Sequence, residues 1–343
     1  MMQALLYYGQ RDIRLEEVPV PQPGPAEVRI RVTDAGICQT QINEFIEGPY
    51  IINRTPHPRT GLAIPLIVGH EFGGIVDAVG NEDLHASLLG QQVAVVPLLP
   101  CGECAYCRHG QENLCDSIAY HGLVGAHGGF AEYACVQTQN LVTVQDRGLL
   151  TFIEPILVAI NAGRKVQTQL SKRKVIVVGC GAIGLAIQAV FRDYFHADVV
   201  ATESLPQRRA RAQAAGFTVY SPEVIDEQFD LVVDCAGSNP VSTDTVLLEW
   251  LVRLRKGGTL LSVGTYFHPI SFIPSNLLVA EQRIVPSYMF NRSDLACLPA
   301  VLQALHVDFS SLIDSVPLQR IITDGYYRAE VDKDSFTRLV VKC

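Results

Sequence analysis

The sequence predicts an α/β protein of two domains: an irregular β domain and a doubly wound parallel sheet. Three observations lead there. The chain has 343 residues, more than one ordinary hydrophobic core accommodates. Its first half breaks into short strands punctuated by glycine and proline, whereas from Lys174 onward apolar strands alternate with helical periodicity. Finally, "KVIVVGCGAIGLAIQAVFRDYF" passes from an apolar strand through a glycine turn into a helix. The boundary is expected near 145–155, with the tail after about residue 290 returning to the first domain. That organisation reads as 1–150 with 290–343, and 151–289 between them.

Composition narrows the function. The chain is 48% hydrophobic and 18% charged, with a net charge of −8 and no basic cluster. This argues against nucleic acid and an anionic membrane surface as partners. The start "MMQALLYYGQRDIRLEEVPVP" lacks the basic n-region and long apolar run of a signal peptide. No stretch of about 18 apolar residues is present to span a bilayer. The expected location is cytoplasmic, where the ten cysteines stay reduced and clustered thiols point to metal or catalysis.

In chain order, the first chemical position is Cys38, in "AGICQTQ" after the alternating strand "EVRIRVTDAG". The second is "IVGHEFGGIVDAVG", which sets His70 and Glu71 among glycines 69, 73 and 74. The third is "FIEPILVAIN", where Glu154 precedes a proline at a helix start. Cysteine, histidine and carboxylate together make three protein ligands and leave a fourth position open, the pattern of a catalytic zinc. Read singly, Cys38 is also a small buried hydrophobe and His70 ordinary structure, so spacing alone leaves both readings open.

Between these stretches lies "CGECAYCRHGQENLC", a C-x2-C-x2-C-x7-C run of Cys101, Cys104, Cys107 and Cys115. Four thiolates on a tight loop suit tetrahedral zinc, and Gly102 and Gly110 permit the turns. Disulfides are disfavoured in a reducing compartment; an iron–sulfur cluster remains an alternative because its ligand spacings overlap. A metal closed by four protein thiolates has no open position, so this cluster is expected to hold a lobe in place and do no chemistry.

The second half carries Gly179, Gly181 and Gly184 in G-x-G-x-x-G spacing, with Ile183 before the last glycine. Between strand and helix, such a turn places a dinucleotide pyrophosphate at a helix N-terminus. The next strand, "ADVVATES", ends at Glu203, 19 positions past Gly184, close to the spacing of the acid that binds the adenine ribose. A carboxylate there accepts the ribose hydroxyls and repels a 2′-phosphate, which favours NAD over NADP. Arg208 is expected to pack on the adenine or ribose. The strands "DLVVDCAG", "GTLLSVGT" and "RIVPSYMF" continue the parallel sheet.

Taken together, "GIC" with Thr40, "GHEFGGIV", the four-cysteine lobe, "IEP" and "VGCGAIG" resemble the zinc-dependent medium-chain alcohol/polyol dehydrogenases over essentially the whole chain. The glutamate of "IEP" is similar to the polyol branch (butanediol, sorbitol, threonine and galactitol dehydrogenases), and the segment between Cys38 and His70 looks most like that of the butanediol enzymes. The resemblance implies a GroES-like β domain plus a Rossmann domain, NAD, and two zinc ions per chain. It also implies catalytic zinc on Cys38, His70 and Glu154, with Glu71 as an alternative ligand. Thr40 would bond the substrate hydroxyl, and the assembly would be a homodimer or homotetramer. The implied reaction is oxidation of a secondary alcohol (vicinal diol, acyloin or sugar alcohol) to a ketone, or its reverse. The alternatives are a biosynthetic ketone reductase and a non-catalytic NAD- and zinc-binding protein that keeps the fold. Four positions depart from the pattern. Gln41 stands for an aspartate that orients the zinc-bound histidine, and its oxygen is expected to accept the histidine N–H. Asn43 stands for a proton-relay histidine, and Gln39 for a smaller residue. Asn161 occupies a place where histidine is common.

Overall fold

The computed structural model describes residues 1–170, 173–238 and 246–343. The chain divides into two compact units. One holds Met1–Glu154, Ile313–Lys333 and Arg338–Cys343; the other holds Pro155–Leu312 and Asp334–Thr337.

Strand Glu27–Gly36 is the centre of the first unit. Val28, Ile30 and Val32 alternate into the core, as a strand with one buried face requires. The sheet runs Leu141–Thr143, Gln92–Val95, Glu71–Val79, Glu27–Gly36, Arg338–Lys342, Ile313–Pro317, and Tyr133–Gln137 also pairs with the central strand. Gly36 faces Glu71 on one side and Val340 on the other. A Cβ on Gly36 would collide with the Arg338 guanidinium, so only glycine admits that side chain here. A small three-stranded sheet of Leu98–Leu99, Ala119–His121 and Gly125–Ala126 flanks the cysteine run.

In the second unit six strands form an all-parallel sheet. The order is Val219–Tyr220, Asp198–Thr202, Lys174–Val178, Phe229–Asp234, Leu254–Ser262, Arg283–Pro286. Valine-rich runs such as "KVIVV" suit this position because both faces are covered. Ile176, Val178, Phe229, Val232, Trp250, Leu254 and Leu260 share one apolar cluster. The strand order reverses at Lys174–Val178, which puts the topological switch point at its carboxyl end.

The return to the first unit comes later than the expected residue 290, at Ile313. The reason is an anchored pair of helices, Arg292–Leu295 and Leu298–Ala304. Buried Asp294 accepts from the Asn291 N–H at 2.7 Å and pairs with Arg164 at 2.6 Å. The short Asp334–Thr337 stretch also belongs to the second unit: Asp334 accepts the Gln207 and Arg208 N–H groups at 2.8 and 3.1 Å, capping helix Pro206–Ala214.

Candidate metal centres and dinucleotide turn

The strand register assembles the first cluster. Because Gly36 pairs with Glu71, Cys38 and His70 emerge side by side from neighbouring strands. Cys38 becomes the N-cap of helix Gln39–Glu47. Ligand atoms of Cys38, His70 and Glu71 lie within 4.8 Å of one another. Glu154, the expected third ligand, is not in that group. It opens helix Ile153–Lys165, and its Oε1 accepts the Tyr120 hydroxyl at 2.8 Å. The Tyr120 ring packs edge-on to His70, with centroids 5.8 Å apart. The structure therefore groups Glu71 with Cys38 and His70, and holds Glu154 on the Tyr120 hydroxyl, near enough for its charge to act on Cys38.

Arg338 anchors Glu71. Its Nη2 donates to Glu71 Oε2 at 2.6 Å and to the Thr151 carbonyl at 2.7 Å, and its guanidinium lies 5.4 Å from the Phe152 ring centre. Glu71 Oε1 is buried and has no hydrogen-bond partner among the described residues. Burial, then the charges of Glu71 and Glu154, push the Cys38 thiol well above its ordinary value. Burial, then the Glu71 charge, lifts the Glu154 carboxyl to about 8. Burial depresses His70 to about 4. A thiol and two carboxylates thus share the site with one guanidinium. An orphaned carboxylate oxygen beside sulfur and imidazole is a donor set that fits zinc.

Thr40 Oγ1 lies 3.7 Å from Cys38 Sγ. Gln41 stands between the two metal-side residues. Its Oε1 accepts the Cys38 N–H at 2.9 Å, and its Nε2 lies 2.8 Å from His70 Nδ1. Asn43 is buried and accepts from Gln39 Nε2 at 2.8 Å.

The four lobe cysteines also converge, all sulfurs lying within 4.8 Å of one another. Cys101 and Cys107 sulfurs are 3.8 Å apart, the edge of a sulfur tetrahedron with metal–sulfur bonds of about 2.3 Å. Gly102 and Gly110 take φ of +79° and +69°, the left-handed turns the lobe needs. Amide N–H groups of Glu103 and Cys104 point at Cys101 Sγ and draw its thiol down to about 6, which favours the ligating thiolate. All ten cysteines are free of disulfides. Arg59 ties off the lobe by donating to the carbonyls of Leu99, Pro100 and Ser117. Cys104→Ser should cost one metal per chain and lower the thermal midpoint of the first unit by about 5 °C or more. Native mass spectrometry and a melting curve read both; an unchanged metal count and midpoint would remove the structural role.

In the second unit Gly179 has φ +95°, and a Cβ on Gly184 would strike the Gly179 carbonyl. Around Gly181 there is open space. Gly181 is the N-cap of helix Ala182–Asp193, with no side chain capping it. Ile183 lies in the first turn of that helix. This is the cradle a pyrophosphate fills. Glu203 is buried at the end of the neighbouring strand, accepting from the Cys180 and Leu205 N–H groups at 2.9 and 3.0 Å. Arg208, expected at the adenine or ribose, turns its guanidinium over the Phe336 ring, 5.5 Å from the centre, and its Nε donates to the Phe336 carbonyl.

Three participants escaped sequence reasoning. Arg338 is far from Glu71 in the chain; its one signal is an arginine inside the apolar strand "TRLVVKC". Tyr120 and Arg59 carry no local signal. Asn161 acquires a structural role: its Nδ2 donates to the Tyr288 and Met289 carbonyls at 3.3 and 2.8 Å.

A six-stranded doubly wound sheet with a dinucleotide turn, together with a β unit carrying two metal-ligand clusters, defines a nicotinamide-linked dehydrogenase of the metal-binding type. Comparison with known proteins supports that class. Residues 24–146 match the alcohol dehydrogenase GroES-like domain. The chain is 28% identical to (R,R)-butanediol dehydrogenase of Bacillus subtilis, over 94% of this chain and 93% of that one. It is 30% identical to D-altritol 5-dehydrogenase of Agrobacterium fabrum, over 90% of this chain and 89% of that one. The crystal structure of 2R,3R-butanediol dehydrogenase from Bacillus subtilis superposes with a TM-score of 0.85 at 25% identity, covering both chains completely. The chain belongs to the zinc-dependent medium-chain alcohol/polyol dehydrogenase family, and it is an enzyme of that family.

Proposed function

We propose that this enzyme interconverts a secondary alcohol bearing a neighbouring oxygen and the corresponding ketone. A vicinal diol, acyloin or sugar alcohol is the substrate class, with NAD(H) as hydride carrier and two zinc ions per chain. The carrying observation is the Cys38–His70–Glu71 cluster, half-buried at the cysteine and buried at the other two, with its orphaned carboxylate oxygen and Thr40 beside the sulfur. A zinc held by Cys38, His70 and a carboxylate of Glu71 or Glu154 would supply Lewis acidity toward the substrate hydroxyl, and NAD would accept the hydride. The remaining work falls to side chains. Arg338 fixes Glu71, and Tyr120 fixes Glu154. Thr40 accepts the hydrogen bond of the substrate hydroxyl and hands its own proton onward as hydride leaves the carbon that bears that hydroxyl. Asn43 can hydrogen-bond but cannot titrate, so the proton leaves by another route, such as water. The four lobe thiolates hold the second zinc.

The working location is the cytoplasm, supported by ten unpaired thiols; among the described residues no helix is long and apolar enough to cross a membrane. A homodimer or homotetramer is supported by helix Pro274–Ala280, which has no buried residue, with Ile273, Leu278 and Val279 exposed beside the edge strand Arg283–Pro286.

The deciding experiment scans diols, acyloins, sugar alcohols and threonine with NAD, following nicotinamide absorbance. Turnover of the vicinal oxygen compounds above simple alcohols is expected. No turnover of any alcohol, and no reduction of the matching ketones, would move the protein to the non-catalytic class. With one active substrate, kcat/KM should favour NAD over NADP by about 100-fold, because Glu203 meets the extra phosphate with like charge at low effective dielectric. A preference for NADP would overturn the Glu203 assignment.

A further inference from the structure

The Gln41 carboxamide faces His70 the wrong way round for a metal ligand. The Cys38 backbone N–H can only donate, so the Gln41 atom 2.9 Å from it is the carbonyl oxygen. The other end of the same amide, 2.8 Å from His70 Nδ1, is therefore the NH2 group. An NH2 group has hydrogens and no available lone pair, so Nδ1 must supply the lone pair. A neutral His70 then carries its proton on Nε2. Binding a metal through Nε2 needs that lone pair free and the proton on Nδ1, facing an acceptor. Binding through Nδ1 needs the NH2 group gone. The first case needs the amide to turn over and the second needs the whole side chain to withdraw, and both give up the bond to the Cys38 N–H. Turning presents Oε1 to His70 but sets NH2 against the Cys38 N–H, at the cap of helix Gln39–Glu47. The expected arrangement, with the glutamine oxygen accepting from the histidine, is thus the one this packing disfavours.

We propose that Gln41 is a latch that holds His70 in the tautomer opposed to metal binding through Nε2, so that loading the Cys38–His70 metal requires the Gln41 carboxamide to flip or withdraw and give up the Cys38 N–H. The inference rests on the metal reading of that cluster. Gln41 is a positioning residue; it acts on the metal only through His70 and Cys38. A carboxylate in its place would remove the conflict, because one oxygen can accept the Cys38 N–H while the other accepts His70 Nδ1–H.

Two measurements test the latch. Histidine-selective nitrogen NMR on chelator-treated protein, with His70 assigned by difference against His70→Gln, reads which ring nitrogen carries the proton. Cobalt(II) titration reads affinity, with the same titration of Cys38→Ser subtracted to isolate this site from the lobe. The wild-type His70 proton should sit on Nε2. In Gln41→Glu it should move to Nδ1, and the cobalt dissociation constant should fall about 10–100-fold. Added charge alone would tighten cobalt without moving the ring proton. A wild-type proton on Nδ1, or unchanged cobalt affinity in Gln41→Glu, overturns the latch. Should Gln41→Glu fail to fold, the wild-type tautomer decides by itself. Equal cobalt uptake by wild type and Cys38→Ser would instead defeat the metal reading, and the latch with it.

Discussion

Replacing Arg338 with methionine should cost about 3–5 kcal/mol of stability, because it strips a buried carboxylate of its cation. Arg338 and Glu71 side chains are 2% and 1% exposed, so water cannot take over the pairing. Methionine fills the volume over Phe152 but leaves Glu71 Oε2 and the Thr151 carbonyl without their shared donor. Denaturant unfolding of the first unit reads the loss. Adding Glu71→Gln to the variant should recover part of it, since the stranded charge disappears. A single-variant loss below about 1 kcal/mol would place the pair among interactions of surface strength and contradict its burial.

Cys38→Ser should lower kcat/KM by about 1,000-fold or more, the scale of several kcal/mol of Lewis-acid stabilisation. The lobe metal should stay, because Cys101, Cys104, Cys107 and Cys115 form a separate group. Metal counting beside the kinetics separates this outcome from general unfolding. A variant that keeps both metals and near-normal turnover would relocate the chemistry away from Cys38.

What the sequence disclosed and what it hid follow one rule. Features encoded over a few adjacent residues were legible: the glycine turn at 179–184, the four-cysteine lobe and the alternation of "EVRIRV" all carry their geometry locally. The parallel sheet followed from valine-rich strands alternating with helices. Features decided by long-range register were not. Whether Glu71 or Glu154 stands nearer Cys38 depends on Gly36 facing Glu71 across the sheet and on Tyr120 reaching Glu154. The orientation of Gln41 was equally hidden, because it is settled by one backbone N–H with no side-chain signature. The late return at Ile313 depends on Asp294 finding Arg164, and spacing says nothing about that pairing.

Arg59 has a consequence for anyone who would shorten or transplant loops in this scaffold. Its guanidinium fastens the segment between Cys38 and His70 to the chain on both sides of the cysteine run. The two segments therefore act as a single module. A chimera that imports the lobe without this segment inherits three unclaimed carbonyls at its hinge, and one that trims the segment leaves the lobe unfastened. Exchange between related enzymes is cleanest when both pieces travel together.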